Sequence, residues 1–479
     1  MTWAPLGEPS PGLVIPMWMA LKEAEGTPGG RRPGRDVSMP VILRTSEADF
    51  EARFAAFLRQ KREVSEDVDA TVRGIVADVR RNGDAAVAAL TAKLDQVTLT
   101  PGNFRISRDR IAEAVAAADP VTVEALTFAR DRIASHHQRQ RPADDRYRDA
   151  IGAELGHRWT AVESVGLYVP GGTASYPSSV LMNAVPAKVA GVPRIAMVVP
   201  SSKGALNPLV LVAAHLARID EIYPIGGAQA IAALAYGTES IAPVAKIVGP
   251  GNAYVAAAKR QVFGTVGIDS IAGPSEVLVI ADRDNDPEWI AADLLAQAEH
   301  DTAAQSILLT DDESFAGEVT SAVDRQLAAL PRQSIAAESW HTFGAVILVR
   351  SLEEAPAIAD RIAAEHLEIA TRDPDTLADR IRNAGAIFLG SLTPEVIGDY
   401  VGGSNHVLPT ARSARFSSGL GVLDFMKRTS ILRLDRAALD ALGTAAMTLA
   451  QAEGLEAHRR SVAIRMHGEP RPMPPKGAS

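Results

Sequence analysis

The chain has 479 residues, of which 47% are hydrophobic and 22% charged, with no cysteine and a formal net charge of −9. This length exceeds what one ordinary hydrophobic core needs, so we expect roughly two to four structural units of a globular protein. The absence of cysteine excludes disulfides, thiolate metal ligands and thiol nucleophiles, and the acidic balance provides no basic field for nucleic acid or anionic lipid.

The first 38 residues differ from the rest of the chain, because they contain proline, glycine and arginine without apolar periodicity. We predict a disordered extension over residues 1–38, with Met39 as the natural first residue, since a signal peptide would need a basic start and an uninterrupted apolar centre. Residues 39–63 are predicted to form a small helical segment. No apolar run approaches the roughly 20 residues that cross a bilayer.

Residues 47–99 show helical periodicity, with Val72 and Val79 on one apolar stripe and charged residues opposite. Residues 130–148 are polar and arginine-rich, which predicts a solvated helix. We group both stretches with the first of two α/β units, assigned to residues 64–167 plus 277–420.

From Val165 onward, strands, turns and helices alternate. Predicted strands begin at Val165, Arg194, Glu221, Lys246, Val277, Ser306, Ala345 and Ala386, and predicted helices begin at Ser178, Asn207, Ala228, Tyr254, Pro287 and Phe315. This alternation predicts parallel βαβ units, and hence two Rossmann-like, doubly wound α/β units with small helical terminal segments. The second unit covers residues 168–276. Residues 421–479 form a helical tail, broken at Gly454, with too little apolar surface for its own core, so we expect it to pack on another subunit.

Three glycine loops follow predicted strands of the second unit: Gly171-Gly172, Gly226-Gly227 and Gly249-Pro250-Gly251-Asn252. In open α/β sheets, ligands bind beyond the carboxyl ends of the strands, where helix N-termini offer free amides. The fingerprint G-x-G-x-x-G is absent, and tight turns explain the glycines equally well. Tyr168, Gln229 and Asn252 lie beside the loops, where they can contact a ribose or nicotinamide.

The candidate metal ligands lie in three separate segments. Gln297 and His300 are three residues apart on a predicted helix, so both can face one cation. This spacing alone is weak evidence for a metal site. Asp399 and His458 are further candidates, each with an ordinary structural explanation as a turn cap or a solvated histidine. His406 stays unassigned between ligand, base and buried hydrogen-bonding residue.

Glu365 and His366 are adjacent in an apolar frame where a helix is predicted to end and a strand to begin. A histidine with a near-neutral pKa can accept a proton from an alcohol, and a carboxylate can deprotonate water. The alternative is a histidine at a helix end that is favoured by the helix dipole.

Together, the ordered motifs resemble the histidinol dehydrogenase family from about Met39 to Met466. The motifs are Leu-Tyr-Val-Pro-Gly-Gly (167–172), Val-Gly-Pro-Gly-Asn (248–252), Gly-Pro-Ser-Glu (273–276), Ala-Gln-Ala-Glu-His-Asp (296–301), Ala-Glu-His-Leu-Glu (364–368), Ser-Asn-His-Val-Leu-Pro-Thr (404–410) and residues 416–430. The resemblance implies a cytoplasmic, zinc-dependent enzyme that oxidises L-histidinol to L-histidine through histidinaldehyde in two NAD-linked steps.

The resemblance also implies roles for individual residues. The implied zinc ligands are Gln297, His300, Asp399 and His458, and the implied general bases are Glu365 and His366. The implied substrate contacts are Ser275, Gln297, His300, His366, Asp399, Glu453 and His458, and the implied NAD contacts are Tyr168, Gln229 and Asn252. The family is a domain-swapped homodimer with one zinc per subunit, so Glu453 and His458 would complete the site of the partner.

Three other functions remain alternatives. A zinc hydrolase could use the same ligands but would not need the glycine loops, and a binding protein would not need both a ligand set and an acid–base pair. The nearest alternative is a related dehydrogenase of another alcohol, such as a sulfonated propanediol; Glu453 and residues 416–430 favour histidinol. Without cysteine, a water activated by Glu365 is the natural route from aldehyde to acid, which argues against the aldehyde dehydrogenase family.

Overall fold

A computed structural model describes residues 40–60, 66–100, 102–171, 176–201, 204–219, 221–271 and 273–467. The predicted disordered extension over residues 1–38, the proposed start at Met39 and the loop residue Gly172 lie outside the described residues. Within the described segments, none of the helices is both long and apolar enough to cross a membrane.

Strands and helices alternate through most of the chain. The strands are β1 (Val41–Arg44), β2 (Asp145–Arg148), β3 (Glu154–Ala161), β4 (Ser164–Tyr168), β5 (Arg194–Val198), β6 (Glu221–Tyr223), β7 (Lys246–Val248), β8 (Gly267–Ile268), β9 (Glu276–Ala281), β10 (Gln305–Thr310), β11 (Ala345–Leu348), β12 (His366–Ala370), β13 (Ala386–Leu389) and β14 (Met426–Arg433). The helices are α1 (Phe50–Arg59), α2 (Glu66–Leu94), α3 (Arg108–Ala117), α4 (Pro120–Gln138), α5 (Pro177–Ala190), α6 (Pro208–Leu216), α7 (Gly227–Tyr236), α8 (Ala253–Val262), α9 (Pro287–Ala298), α10 (Glu313–Leu327), α11 (Gln333–Phe343), α12 (Ala355–Ile362), α13 (Pro374–Ala378), α14 (Glu395–Tyr400), α15 (Arg436–Ala452) and α16 (Glu456–His467).

Six parallel strands form one sheet in the order β1-β11-β10-β9-β12-β13. Side chains of β9 alternate between two apolar cores, because Leu278 and Ile280 pack on one face while Val277 and Val279 pack on the other. Both faces are therefore buried, as expected for a parallel sheet covered by helices.

Five parallel strands form a second sheet in the order β6-β5-β4-β7-β8. Here too the strands separate two cores: Leu167 and Met197 belong to one, and Tyr168 and Val198 to the other. The prediction of an α/β protein with parallel sheets is thus confirmed.

Helices α2, α3 and α4 belong to the five-stranded unit, whereas α1 packs in the core of the six-stranded sheet. Helix α2 packs on α7 and α8, α3 packs on α6, and α4 packs on α5. The predicted grouping of residues 64–167 with 277–420 is therefore wrong for these helices, and also for β4 itself, which lies in the five-stranded sheet. The apolar stripe that contains Val72 and Val79 specifies a helix, but a stripe does not specify which sheet it covers.

A small antiparallel sheet, β14-β3-β2, was not predicted. The prediction of a solvated helix over residues 130–148 is wrong for the second half of this stretch, because α4 ends at Gln138 and residues 145–148 form β2. These strands are stabilised by β14, which is distant in the chain, so local periodicity does not reveal them. After β14, α15 and α16 pack on each other across the predicted break, where Gly454 has a left-handed φ of 71°.

Candidate active site

A cavity of about 260 Å³ lies where the two parallel sheets meet. The five-stranded sheet contributes Pro170 and residues 250–252, which follow the carboxyl ends of β4 and β7. The six-stranded sheet contributes Ser275, just before β9, and Glu365 with His366 at the start of β12. The cavity is therefore bounded by the carboxyl ends of one sheet and the amino ends of the other.

Glu365 and His366 lie at a sharp junction between α12 and β12. Ala363 ends the helix in a left-handed conformation (φ 51°, ψ 52°), which costs a non-glycine residue roughly 1–2 kcal/mol. The backbone N–H of Glu276 donates to Glu365 Oε2 at 3.1 Å, which ties this carboxylate to the start of the neighbouring strand β9. The predicted position between a helix and a strand is confirmed.

His366 is buried among carboxylates. Its Nδ1 lies 3.2 Å from the carbonyl oxygen of Glu276 and 3.4 Å from Glu395 Oε2, and its Nε2 lies 3.5 Å from Asp399 Oδ1. Burial acts to lower the pKa of His366, but the charges of Glu395, Glu365 and Asp399 outweigh it and raise this pKa to about 10. This arrangement of carboxylates favours the protonated form of the imidazole.

Further buried carboxyl groups lie behind His366, and sequence reasoning did not find them. The backbone N–H of Glu395 donates to Glu368 Oε1 at 2.6 Å, and Glu368 is hydrogen-bonded to Asp293 of α9. Burial raises the pKa of Glu395 to about 8 and that of Asp293 to about 6. Burial, with Asp293 and Glu395 nearby, also raises the pKa of Glu368 well above its usual range. A sequence signal existed, since Glu368 and His366 share one face of β12.

The predicted metal ligands Gln297, His300 and Asp399 lie on or beside α9 and α14. His300 and Asp399 line the cavity. Gln297 is only 1% exposed, and its amide nitrogen and oxygen both lack a hydrogen-bond partner among the described residues. An unpartnered buried amide costs roughly 1–3 kcal/mol, so its oxygen is suited to a ligand that fills the gap. Desolvation lowers the pKa of His300, which favours the neutral form that binds a metal.

His458 and Glu453 lie elsewhere in the chain. Both are exposed, His458 on α16 and Glu453 at the end of α15, and neither lines the cavity in the described part of the chain. Over the same residues, no three His, Asp or Glu side chains are gathered as a metal site. One chain thus brings three of the four predicted ligands to one region, and a cation there would need its fourth protein ligand from elsewhere.

Of the residues predicted to contact the cofactor, only Asn252 lines the described cavity. Its Oδ1 accepts from the backbone N–H groups of Tyr254 and Val255 at 3.1 and 3.2 Å, so it caps α8. Tyr168 is buried, and its hydroxyl accepts from Gly227 N–H at 3.1 Å. Gln229 is also buried, with its Nε2 3.5 Å from Asp95 Oδ2.

A buried ion pair holds the glycine loop at the cavity, and sequence reasoning missed it as well. Lys259 of α8 is paired with Asp269 and donates to the carbonyl oxygen of Gly249 at 2.9 Å. Asp269 Oδ2 accepts from Gly249 N–H at 2.7 Å. Gly249 has a φ of 109°, and a Cβ there would overlap the carbonyl oxygen of Tyr168. The loop is therefore clamped from both sides and requires glycine.

His406, left unassigned from the sequence, is a cavity-lining residue with two hydrogen bonds. Its Nδ1 lies 2.9 Å from the carbonyl oxygen of Asp399, and its Nε2 lies 3.1 Å from Ser179 Oγ. Because a carbonyl only accepts, Nδ1 carries the proton and Nε2 accepts from the hydroxyl. Burial lowers the pKa of His406, so the ring is neutral and supports the backbone at Asp399.

Comparisons with known proteins agree with this arrangement. The family model described as histidinol dehydrogenase matches residues 58–466. The histidinol dehydrogenases of Mesorhizobium japonicum and Brucella suis are 68% and 67% identical over 429 residues, which is 90% of this chain and 100% of each relative. The crystal structure of histidinol dehydrogenase from Elizabethkingia anophelis matches with a TM-score of 0.85 and 35% identity, over 90% of this chain and 98% of that one. The chain therefore belongs to the histidinol dehydrogenase family of oxidoreductases.

Proposed function

We propose that the protein oxidises L-histidinol to L-histidine through histidinaldehyde in two NAD-linked steps, with one zinc ion per subunit. The observation that carries this proposal is the cavity in which Glu365 and His366 lie beside His300 and Asp399 and face the glycine loop at Asn252. The names of the relatives support histidinol as the substrate.

The zinc ion would be held by Gln297, His300 and Asp399 of one subunit and by His458 of the partner subunit. The unpartnered amide of Gln297 and the position of His300 and Asp399 at the cavity support this set. When bound, zinc would fix the amino and imidazole nitrogens of the substrate, and its charge would lower the pKa of His366 towards neutrality.

In the first step, a neutral His366 accepts the hydroxyl proton of histidinol through Nε2. NAD, when bound, would supply the acceptor for the hydride and its electron pair, and the proton would remain on the imidazole. The aldehyde is the product of this step. The position of Nε2 beside Asp399, at the cavity, supports this direction of transfer.

In the second step, Glu365 accepts a proton from the water that adds to the aldehyde carbon. A second NAD, when bound, would supply the acceptor for the hydride of the resulting hydrate, whose carbon would become the carboxyl carbon of histidine. Glu365 is buried and lines the cavity beside His366, which supports a role for both residues on one substrate. The chain has no cysteine that could form a thiohemiacetal instead.

The cofactor would bind the five-stranded unit, with contacts from Tyr168, Gln229 and Asn252. In the order β6-β5-β4-β7-β8, the first strand of the sheet lies at the centre and the chain runs outward on both sides. This order is that of a dinucleotide-binding Rossmann unit, which supports the assignment. We also assign a Rossmann-like fold to the six-stranded unit, because its strands β11-β10-β9-β12-β13 follow the same order.

Substrate contacts would come from both subunits. The proposed contacts are Ser275, Gln297, His300, His366 and Asp399 of one subunit and Glu453 and His458 of the partner subunit. Of these, Ser275, His300, His366 and Asp399 line the cavity, which supports their assignment.

We infer a homodimer in which the last two described helices, α15 and α16, are exchanged between subunits, whereas β14 before them pairs with β3 of its own chain. Leu449, Leu455 and Ile464 of α15 and α16 and the segment between them are exposed by 63%, 42% and 58%, so the helix pair lacks a cover in one chain. A partner subunit would bury this apolar surface. We place the enzyme in the cytoplasm, as expected for the biosynthesis of an amino acid.

A comparison of two alcohol substrates, each given separately, tests the proposal directly. Purified protein is incubated with NAD and either histidinol or a sulfonated propanediol, and NADH absorbance is followed. We expect NADH from histidinol alone. Turnover of the diol without turnover of histidinol would support the related dehydrogenase instead. A separate assay with an ester substrate covers the zinc hydrolase, which ester hydrolysis without NADH formation from either alcohol would support.

A further inference from the structure

We propose that Asp95 selects NAD over NADP, by accepting hydrogen bonds from the hydroxyl groups of the adenosine ribose and by repelling a phosphate at the 2′ position of that ribose. The inference rests on the proposed binding of NAD to the five-stranded unit. It adds a residue from the end of α2, a helix that precedes every strand of the five-stranded sheet.

The first observation is the place of Asp95 in the fold. Its Oδ2 lies 3.5 Å from Nε2 of Gln229, in the first turn of α7. Its charge also acts on the hydroxyl of Tyr168, the last residue of β4, and this hydroxyl accepts from Gly227 N–H where α7 begins. Asp95 therefore lies beside the carboxyl end of β4 and the start of α7, the edge at which open parallel sheets bind dinucleotides.

The second observation is a missing hydrogen bond beside Asp95. Gln229 is 1% exposed, and its Nε2 is the atom that faces the carboxylate of Asp95. Its Oε1 has no hydrogen-bond partner among the described residues. Buried polar atoms are nearly always hydrogen-bonded, so this oxygen indicates a ligand that brings a donor. The adenosine half of a dinucleotide fits, because its ribose hydroxyls and its adenine amino group are donors.

The third observation is that Asp95 is unfavourable for stability. It directly follows the last residue of α2, where the negative end of the helix dipole repels a carboxylate. The next residue, Gln96, has a left-handed φ of 58°, which strains a residue other than glycine. Burial raises the pKa of Asp95, and no cation in the described part of the chain offsets it. Unfavourable features that gather at one place indicate a function there.

A carboxylate without a cation distinguishes the two cofactors by charge. The ribose hydroxyls of NAD donate hydrogen bonds and a carboxylate accepts them, so the two groups are complementary. NADP carries a phosphate in place of the 2′ hydroxyl, and two negative charges in a partly buried site repel each other. With the nicotinamide at Asn252 in the cavity, the adenosine half extends outside it, and Asp95 does not line the cavity. Asp95 is therefore available to the adenosine half.

Direct titrations test the inference without turnover. NAD and NADP are each titrated into the wild-type protein and into Asp95→Asn by isothermal calorimetry, with no histidinol present. We expect the wild type to bind NAD at least about 100-fold more tightly than NADP, because the ribose hydrogen bonds and the charge repulsion act together. In Asp95→Asn, NAD should bind about 10-fold more weakly and NADP about 10-fold more tightly.

Asp84→Asn is the matched control. Asp84 is another carboxylate of α2 that contacts the five-stranded unit, since its Oδ2 accepts from Ser240 Oγ at 2.5 Å. Ser240 lies beyond the opposite end of α7, away from Gln229. We expect this variant to lose stability and to keep both cofactor affinities. If Asp95→Asn does not fold, Asp95→Ser takes its place in the same titrations.

Each outcome of the titrations decides the question. An unchanged preference for NAD in Asp95→Asn overturns the inference and leaves the proposed cofactor intact. Equal weakening of NAD and NADP also overturns it, because a structural defect at this edge does not distinguish the two. A wild type that binds NADP as tightly as NAD overturns it as well. If the wild type binds neither, the proposed dinucleotide site itself is contradicted.

Discussion

The two α/β units present opposite kinds of polar group to the cavity between them. The five-stranded unit presents the glycine loop, and its buried charges Lys259 and Asp269 are paired and hydrogen-bonded to Gly249. The six-stranded unit presents titratable side chains, and behind them lie the unpartnered amide of Gln297 and the raised pKa of Glu395, about 8.

This difference matches the proposed assignment of cofactor binding to the five-stranded unit and of proton transfer to the six-stranded unit. A satisfied polar cluster makes a rigid loop, which suits the binding of a cofactor by backbone groups. Buried groups with missing partners or shifted pKa values cost stability, and they accumulate where a reaction needs them. We therefore expect changes in the six-stranded unit to alter reaction steps and changes in the five-stranded unit to alter cofactor affinity.

The largest effect is expected for His366→Asn. Loss of the proposed proton acceptor should slow the first hydride transfer by about 10²–10⁴, whereas NAD affinity should not change, because the glycine loop belongs to the other unit. Single-turnover NADH formation and a direct NAD titration measure the two quantities. A parallel loss of NAD affinity would show that cofactor binding and proton transfer are not separated between the two units.

The variant His458→Asn should fold normally and bind zinc at least about 100-fold more weakly, because it removes one of the four proposed ligands. Metal analysis after dialysis measures the loss. His467→Asn is the matched control, since His467 lies on the same exposed helix. Full zinc occupancy in His458→Asn would remove this residue from the ligand set.

Glu365→Gln, in the six-stranded unit, should affect the two hydride transfers differently. We expect the first hydride transfer to proceed and the second to slow by about 10²-fold, since only the second step needs an activated water. Single-turnover absorbance should then show one NADH formed quickly and the other slowly. Equal slowing of both steps would rule out separate roles for Glu365 and His366.

Gly249→Ala tests the other unit. The new Cβ would overlap the carbonyl oxygen of Tyr168, so the loop must move, and we expect NAD to bind about 10-fold more weakly, within the roughly 1–3 kcal/mol of such strain. Gly264→Ala is the control, because Gly264 has a similar φ of 99° with open space around it among the described residues. It should lose stability and keep its NAD affinity; equal losses of NAD affinity in both variants would contradict the role of the loop.

The smallest effect concerns stability and pH. Burial raises the pKa of Asp293 to about 6 from 3.8, so ionisation costs more in the folded state than in the unfolded chain. The contribution of the Asp293 carboxyl group to the free energy of unfolding is fully present below about pH 3.8 and is lost as the pH rises through 6. Asp293→Asn should therefore be more stable than the wild type above pH 6, by up to about 3 kcal/mol, and similar near pH 4. Urea unfolding at both pH values measures this, and a difference that does not vary with pH would contradict it.

The sequence predicts local features of this fold well. Alternating apolar periodicity places the parallel strands and their helices, and β7 and β13 begin and end where the pattern predicts. The junction at Glu365 and His366 is also local, because it depends on a helix ending next to a strand. The same reasoning identifies Asn252 beside a loop that the structure places at the cavity.

The features that the sequence does not reveal depend on distant segments. Strand β2 exists because β3 pairs with it and with β14, far along the chain. The carboxyl cluster joins Asp293, Glu368 and Glu395 from three elements, and each of these residues is ordinary in its own segment. Which sheet α2 covers is likewise decided by packing and not by its periodicity.

The most direct test counts NADH against histidinol. A limiting amount of histidinol is converted to completion with excess NAD, and both NADH and the organic product are quantified. The account predicts two NADH for each histidinol, with histidine as the product and no free aldehyde. One NADH for each histidinol, with histidinaldehyde accumulating, would contradict it.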